Sequence, residues 1–166
     1  MDLAAPPGTD RPHLLSGIAV LVVDDQQAVR DGLARLIACA PLALREIATA
    51  ATGAQALQLA AVLRPDVVVL DVDLAGEDGL ALIGSFGPGA GVLVLSCHGD
   101  AATRARAARL GASAFIEKHQ PAAELLRALV VVATLQTRGE ITPVTTGENT
   151  RLPAVASSAV RQAGHL

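Results

Sequence analysis

Tryptophan and tyrosine are absent from this 166-residue chain, and phenylalanine occurs only twice. With Phe86 and Phe115 as its aromatics, any core must be aliphatic, and an apolar fraction of 51%, mostly Ala, Val and Leu, is enough to build one. Two cysteines, Cys39 and Cys97, are too few for a disulfide scaffold. No apolar run approaches the roughly twenty residues of a membrane span. No signal-peptide pattern opens the chain, because Pro6-Pro7-Gly8 interrupts its start. Positive charge is also short: the net charge is −3 and no basic patch stands out, so nucleic acid is not expected as a direct partner. Arg104, Arg106 and Arg109 come nearest to such a patch and read as the solvated face of one helix. These absences point to a reduced, cytoplasmic setting.

Lysine is the most informative scarcity. Lys118 is the only one, among twelve arginines. The Ala/Arg/Gly-rich composition is that of a GC-rich genome, so a lysine that survives that bias marks a position needing a compact ammonium rather than a forked guanidinium.

Lys118 closes the apolar run Ala114–Glu117, and three further runs end in polar groups. Ile18–Val23 ends at Asp24-Asp25, Val67–Leu70 at Asp71, and Val92–Leu95 at Ser96. Between them the spacing predicts helices over about 26–39, 53–63 and 100–110, a short strand at 44–48, and a short helix near 80–84. A last helix runs from Pro121 to about 135. Residues 74–79 read as a loop and 84–91 as a turn region. Continuous apolar strands alternating with helices give an α/β fold: a doubly wound (βα)5, flavodoxin-like three-layer sandwich with a central five-stranded parallel sheet. Residues 1–17 are expected to be a flexible tail, 18–136 the domain, and 137–166 a disordered tail.

In such a sheet the carboxyl ends of the strands line one crevice. Asp24, Asp25, Asp71, Ser96 and Lys118 would meet there. Crowded carboxylates repel one another unless a cation neutralises them, and an all-oxygen donor set suits Mg²⁺. One Asp71 oxygen would remain free to attack a phosphoryl group, with Ser96 and Lys118 neutralising the transferred oxygens. Taken singly, these residues have plainer readings: Asp24-Asp25 as a helix cap, Lys118 as a solvated strand-end charge, and Cys97 as a small apolar residue.

Val22-Val23-Asp24-Asp25, Leu70-Asp71-Val72-Asp73-Leu74 with Gly79 eight positions after Asp71, Leu95-Ser96, and Gly111-Ala112-Ser113-Ala114-Phe115-Ile116-Glu117-Lys118 resemble, together, the receiver domain of response regulators in two-component signalling. The resemblance covers roughly residues 18–135. It implies Asp71 as phospho-acceptor. Asp24, Asp25, Asp71 and the backbone carbonyl of Asp73 would be the Mg²⁺ ligands. Ser96 and Lys118 would contact the phosphoryl group, and Ser96 with Phe115 would form the switch pair. Asp73 and His98 would border the path of attacking water and tune dephosphorylation. The donor would be a sensor histidine kinase or phosphotransfer protein, and the protein a signalling switch rather than an enzyme acting on other substrates.

The chain departs from the family in one place: the usual Pro four residues after the acceptor is Ala75. The stretch from Leu93 to Lys118 is most similar to receivers that carry a LuxR-type helix-turn-helix, yet residues beyond the last helix lack amphipathic periodicity, so a single-domain regulator is expected. Leu125, Leu129 and Val132 face the sheet in this reading. Leu126, Val130 and Ala133 make a second apolar stripe, which suits a homodimer through the fourth helix, fifth strand and last helix, or another docked protein. Other readings are a phosphate sink or connector, a phosphorylation-independent scaffold, and a phosphatase similar to haloacid dehalogenases, in which Asp71 would be nucleophile and Asp73 general acid.

Overall fold

A computed structural model of the chain describes residues 17–138. Five strands form one parallel sheet: β1 (Ile18–Val23), β2 (Leu44–Ala50), β3 (Val67–Asp71), β4 (Gly91–Ser96) and β5 (Ala114–Glu117). Their order is β2-β1-β3-β4-β5. The helices are α1 (Gln27–Ala38), α2 (Gly53–Leu63), α3 (Ala101–Arg109) and α4 (Ala122–Arg138), and a 3₁₀ helix spans Gly79–Phe86. Apart from Gly17, Thr137 and Arg138, both expected tails lie outside the described residues. No helix among them is long and apolar enough to cross a membrane.

Every residue of β1, β3 and β4 is buried, as strands covered on both faces require. Alternate side chains sort into two cores. Leu21, Val23, Val68, Leu70, Val92 and Val94 pack with Ala56 of α2 and with Leu80, Ile83 and Phe86. Val20, Val22, Val69, Leu93 and Leu95 pack with Ile37 of α1 and with Leu125, Leu129 and Val132 of α4.

Where the elements differ from the sequence reading, local causes are visible. The 3₁₀ helix runs on to Phe86 through positions read as turn, because Leu80, Ile83 and Phe86, all buried, repeat every third residue, the period of that helix. β2 reaches Ala50 because Thr49 and Ala50 pair with Val22 and Val23. α4 continues past residue 136 to Arg138.

The loop after β3 holds a two-residue ribbon, Asp73–Leu74 against Glu77–Asp78. Its turn residues Ala75 and Gly76 both have positive φ, 55° and 91°. That is the signature of a type I′ hairpin. Proline, fixed near −65°, has no access to the backbone conformation at residue 75.

β1 lies between β2 and β3, so the chain leaves β1 to one side and returns on the other. The sheet's switch point is therefore the gap beyond the ends of β1 and β3, the place where open α/β sheets bind ligands.

Candidate phosphoryl-acceptor site

Asp24 follows β1 directly, and its N–H donates to the Ala50 carbonyl at 3.2 Å, one more rung of the ladder. This leaves its side chain fully buried. Asp71 ends β3 beside Leu95 of β4 and is 5% exposed. Lys118 follows β5, and its N–H donates to the Ser96 carbonyl at 2.8 Å, which fixes where its side chain starts. The Lys118 Nζ then reaches across β4 to donate to Asp24 Oδ2 at 2.7 Å and to Asp71 Oδ2 at 2.6 Å. Asp24 Oδ1 accepts from the Gln26 N–H at 2.9 Å. Gly79 stands against this strand end: a Cβ there would run into the Asp71 carbonyl oxygen.

Carboxylate oxygens of Asp24, Asp25 and Asp71 lie within 4.8 Å of one another. Burial raises the Asp71 pKa; bonding and attraction from Lys118 oppose that rise, and the neighbouring Asp24 charge adds to it, leaving a net increase. Burial of Lys118 disfavours its ammonium, yet the hydrogen bonds and charges of Asp24 and Asp71 outweigh burial and hold its pKa above the usual value. When all three carboxylates are ionised, this one ammonium leaves a local charge of about −2. An oxygen-only donor set with that surplus fits a hard divalent cation, and Mg²⁺ in particular, which is held by one or two carboxylates and keeps waters or phosphate oxygens. Asp24, Asp25 and Asp71 would hold it. The site opens into a cleft of about 400 Å³ lined by Asp25, Asp71, Asp73, Ser96 and Lys118 among others, with room for a phosphoryl group.

The other expected residues are placed less uniformly. Ser96 lines the cleft and is 4% exposed. Its hydroxyl is engaged within its own loop, donating to the His98 carbonyl at 2.7 Å and accepting from the His98 N–H at 3.1 Å. His98 and Cys97 border the cleft and are exposed. Asp73 is exposed, with its carboxylate accepting from the Gly76 N–H at 2.7 Å, so it is held in the hairpin turn. The Asp73 N–H approaches Asp71 Oδ1 at 3.4 Å. Phe115 lies away from the cleft, half-buried on the wall of a second, mostly apolar groove of about 440 Å³ between α3, β5 and α4.

Three features escaped the sequence reading. Arg30 in the first turn of α1 donates through Nη1 to the carbonyls of both Asp24 and Asp25. Arg104, read as part of a solvated face, donates to Glu117 Oε1 at 2.9 Å and lies over the Phe115 ring. Arg106 pairs with Asp78 of the hairpin, and this pairing lowers the Asp78 pKa. Helical spacing placed the arginines on one helix, but nothing local pointed to their partners on other elements. The second apolar stripe of α4 also needs correction. Ala133 is fully buried, Leu126 packs on the core, and the exposed large apolar residue of this helix is Val131.

The model of the response regulator receiver domain matches residues 20–130. The chain is 38% identical over 122 residues to the transcriptional regulatory protein LnrK of Bacillus subtilis, covering 69% of this chain and 53% of that one. It is 40% identical over 121 residues to a protein-glutamate methylesterase/protein-glutamine glutaminase of Anaeromyxobacter dehalogenans, covering 71% and 33%. The chain thus spans about half or less of the curated relatives it matches. The crystal structure of a two-component response regulator of the LuxR family from Aurantimonas sp. superposes with a TM-score of 0.66 at 30% identity, over 72% of this chain and 86% of that one.

Proposed function

The chain belongs to the response-regulator receiver domain family, and from that premise we propose that Asp71 accepts a phosphoryl group from a phosphohistidine, in a Mg²⁺-dependent reaction, and that the phosphorylated domain signals through a protein partner. One observation carries this reading: a buried carboxylate, raised in pKa, stands at the mouth of a cleft with a lysine ammonium 2.6 Å away and two further carboxylates beside it.

Bound Mg²⁺ would neutralise the carboxylates and the equatorial phosphoryl oxygens. The rest belongs to the chain. An ionised Asp71 oxygen attacks phosphorus in line with the P–N bond of the donor. The new P–O bond makes an acyl phosphate as the P–N bond breaks, and the departing imidazole takes the electron pair and a proton from water. Lys118, bonded to Asp71 Oδ2, shifts its ammonium onto a phosphoryl oxygen while keeping Asp24 as partner. Ser96 gives up the His98 carbonyl to donate to a second phosphoryl oxygen, which draws residues 97–100 toward the cleft. Phe115 turns inward in the same transition, remodelling the groove it lines.

The phosphatase reading needs the Asp73 carboxylate free to act on a leaving group beside Asp71. One of its oxygens, Oδ1, accepts instead from the Gly76 N–H in the hairpin turn.

Phosphorus NMR tests the proposal. With acetyl phosphate and Mg²⁺ the protein should gain one acyl-phosphate resonance that hydroxylamine removes. Loss of that resonance on chelating Mg²⁺ before the donor is added is expected; a resonance indifferent to Mg²⁺, or a stable phosphoester, would overturn it.

A further inference from the structure

We propose that Arg30 is a positioning residue for the divalent-cation site, holding the backbone of Asp24 and Asp25 so that both carboxylates face the gap beside Asp71. The inference rests on the phospho-acceptor reading of that cleft.

Asp24 and Asp25 lie between two regular elements. β1 ends at Val23 and α1 begins at Gln27, so neither the sheet ladder nor the helix ladder uses their carbonyls. Arg30 uses both: Nη1 donates to the Asp24 carbonyl at 2.7 Å and to the Asp25 carbonyl at 2.9 Å. α1 has no side-chain cap at Gln26, so the guanidinium is the side-chain tie between its first turn and the end of β1.

The two aspartates differ in how much else holds them. Asp24 is fully buried, its Oδ2 bonded to Lys118 and its Oδ1 to the Gln26 N–H. Asp25 is half-buried and borders the open cleft, and among the described residues no salt bridge engages its side chain. Among the described residues, the Arg30 bond to its carbonyl is therefore the side-chain tie on Asp25, the most exposed of the three carboxylates and the one best placed to meet an incoming cation. A ligand carboxylate held by its backbone loses less freedom when it binds, and that lowers the cost of association.

The charge of Arg30 gives the inference a sign. A cationic side chain near a cation site repels the ion, so as a charge alone Arg30 would weaken Mg²⁺ binding. Positioning predicts the opposite effect of removing it. As a mere clasp between α1 and β1, Arg30 would affect unfolding and leave the folded site's affinity unchanged.

The experiment is a titration of the full chain with Mg²⁺ alone, followed through the amide resonances of Asp25, Gln26 and Asp73, for the parent, R30Q and R30K, at a temperature where all three are folded by circular dichroism. R30Q should bind Mg²⁺ about tenfold more weakly, the size of effect that loss of an outer partner has on metal sites. R30K, which keeps the charge and a donor, should recover part of that loss. Equal affinity of R30Q and parent would overturn the inference and leave Arg30 a structural clasp; tighter binding by R30Q would overturn it in favour of simple charge repulsion. No response in the parent would overturn the cation site itself, and the inference with it.

Discussion

The guanidinium of Arg104 lies 4.5 Å above the centroid of the Phe115 ring while donating to Glu117, the residue before Lys118. This one side chain joins α3 to the strand that delivers the lysine. α3 has little else to hold it: its sequence is Ala- and Arg-rich and only Ala107 is buried. Its second tie is Arg106 to Asp78, in the hairpin after Asp71. The helix between the cleft and the apolar groove is thus tethered by ion pairs on both flanks.

Removing one tether should loosen α3 without unfolding the domain. Exposed cation–π contacts and surface ion pairs are each worth on the order of 0.5–1 kcal/mol, so R104Q should lose about 1 kcal/mol in urea unfolding. Hydrogen exchange over residues 101–109 should speed up more than exchange in β1 or β3. Raising salt should produce part of the same effect in the parent, because ion pairs this exposed are screened. Uniform exchange rates in R104Q and parent would show that apolar packing, not the tether, holds the helix.

Acidity should act on the cation-free protein through Asp71. Its folded pKa is raised above the usual 3.8, so between that value and the folded one the folded state binds more protons than the unfolded state. The Asp71 contribution is fully present below pH 3.8 and is lost as pH rises through the folded pKa. Lys118, also raised, contributes stability that is present below its usual 10.5 and lost only as pH rises beyond it. At neutral pH without metal, Asp71→Asn should therefore raise the thermal midpoint. Adding Mg²⁺ should stabilise the parent, by about 2.7 kcal/mol at a hundredfold excess over Kd, and Asp71→Asn by less. Calorimetry with and without Mg²⁺ checks both signs.

The hairpin turn offers a test of backbone conformation. Ala75 has a φ of 55°, where a Cβ costs about 1 kcal/mol or more. Ala75→Gly should be neutral to slightly stabilising, since relief of that strain is offset by the freer unfolded chain. Ala75→Pro, which restores the usual family residue, should lose roughly 2 kcal/mol because proline has no access to that φ. A more stable Ala75→Pro variant would show that the loop takes another route.

Gly79 is required for a different reason. Its φ is unexceptional, but a Cβ would collide with the Asp71 carbonyl oxygen, a backbone atom that has no room to yield. Gly79→Ala should cost about 1–3 kcal/mol. Because the collision falls on the acceptor residue itself, it should also slow phosphorylation more than an equally destabilising change in α2 does.

The sheet, and the placement of Asp24, Asp25, Asp71, Ser96 and Lys118 at one sheet edge, were legible because both rest on patterns short enough to read. Continuous apolar runs such as Val67–Leu70 have to be buried strands, and the polar residue closing each run has to fall on one sheet edge. The comparisons bear out the fold class and the family. What could not be read depends on pairs distant in sequence. Arg104 and Glu117 are 13 residues apart, and Arg106 and Asp78 are 28 apart. Arg30 is close to Asp25, yet a side chain bonding to backbone carbonyls leaves no pattern of residue types. The 3₁₀ helix was legible in principle, in the three-residue spacing of Leu80, Ile83 and Phe86, but the stretch from Gly84 to Gly91 carries the stronger turn signal.

The most direct measurement is the intact mass of the protein after incubation with acetyl phosphate and Mg²⁺, beside Asp71→Asn and Lys118→Ala. The parent should gain one phosphoryl group and lose it again on standing. Asp71→Asn should gain none, and Lys118→Ala should gain it far more slowly, its attacking carboxylate having lost the ammonium 2.6 Å away. Uptake by Asp71→Asn equal to that of the parent, or no uptake by a parent that is folded and binds Mg²⁺, would contradict Asp71 as the phosphoryl acceptor.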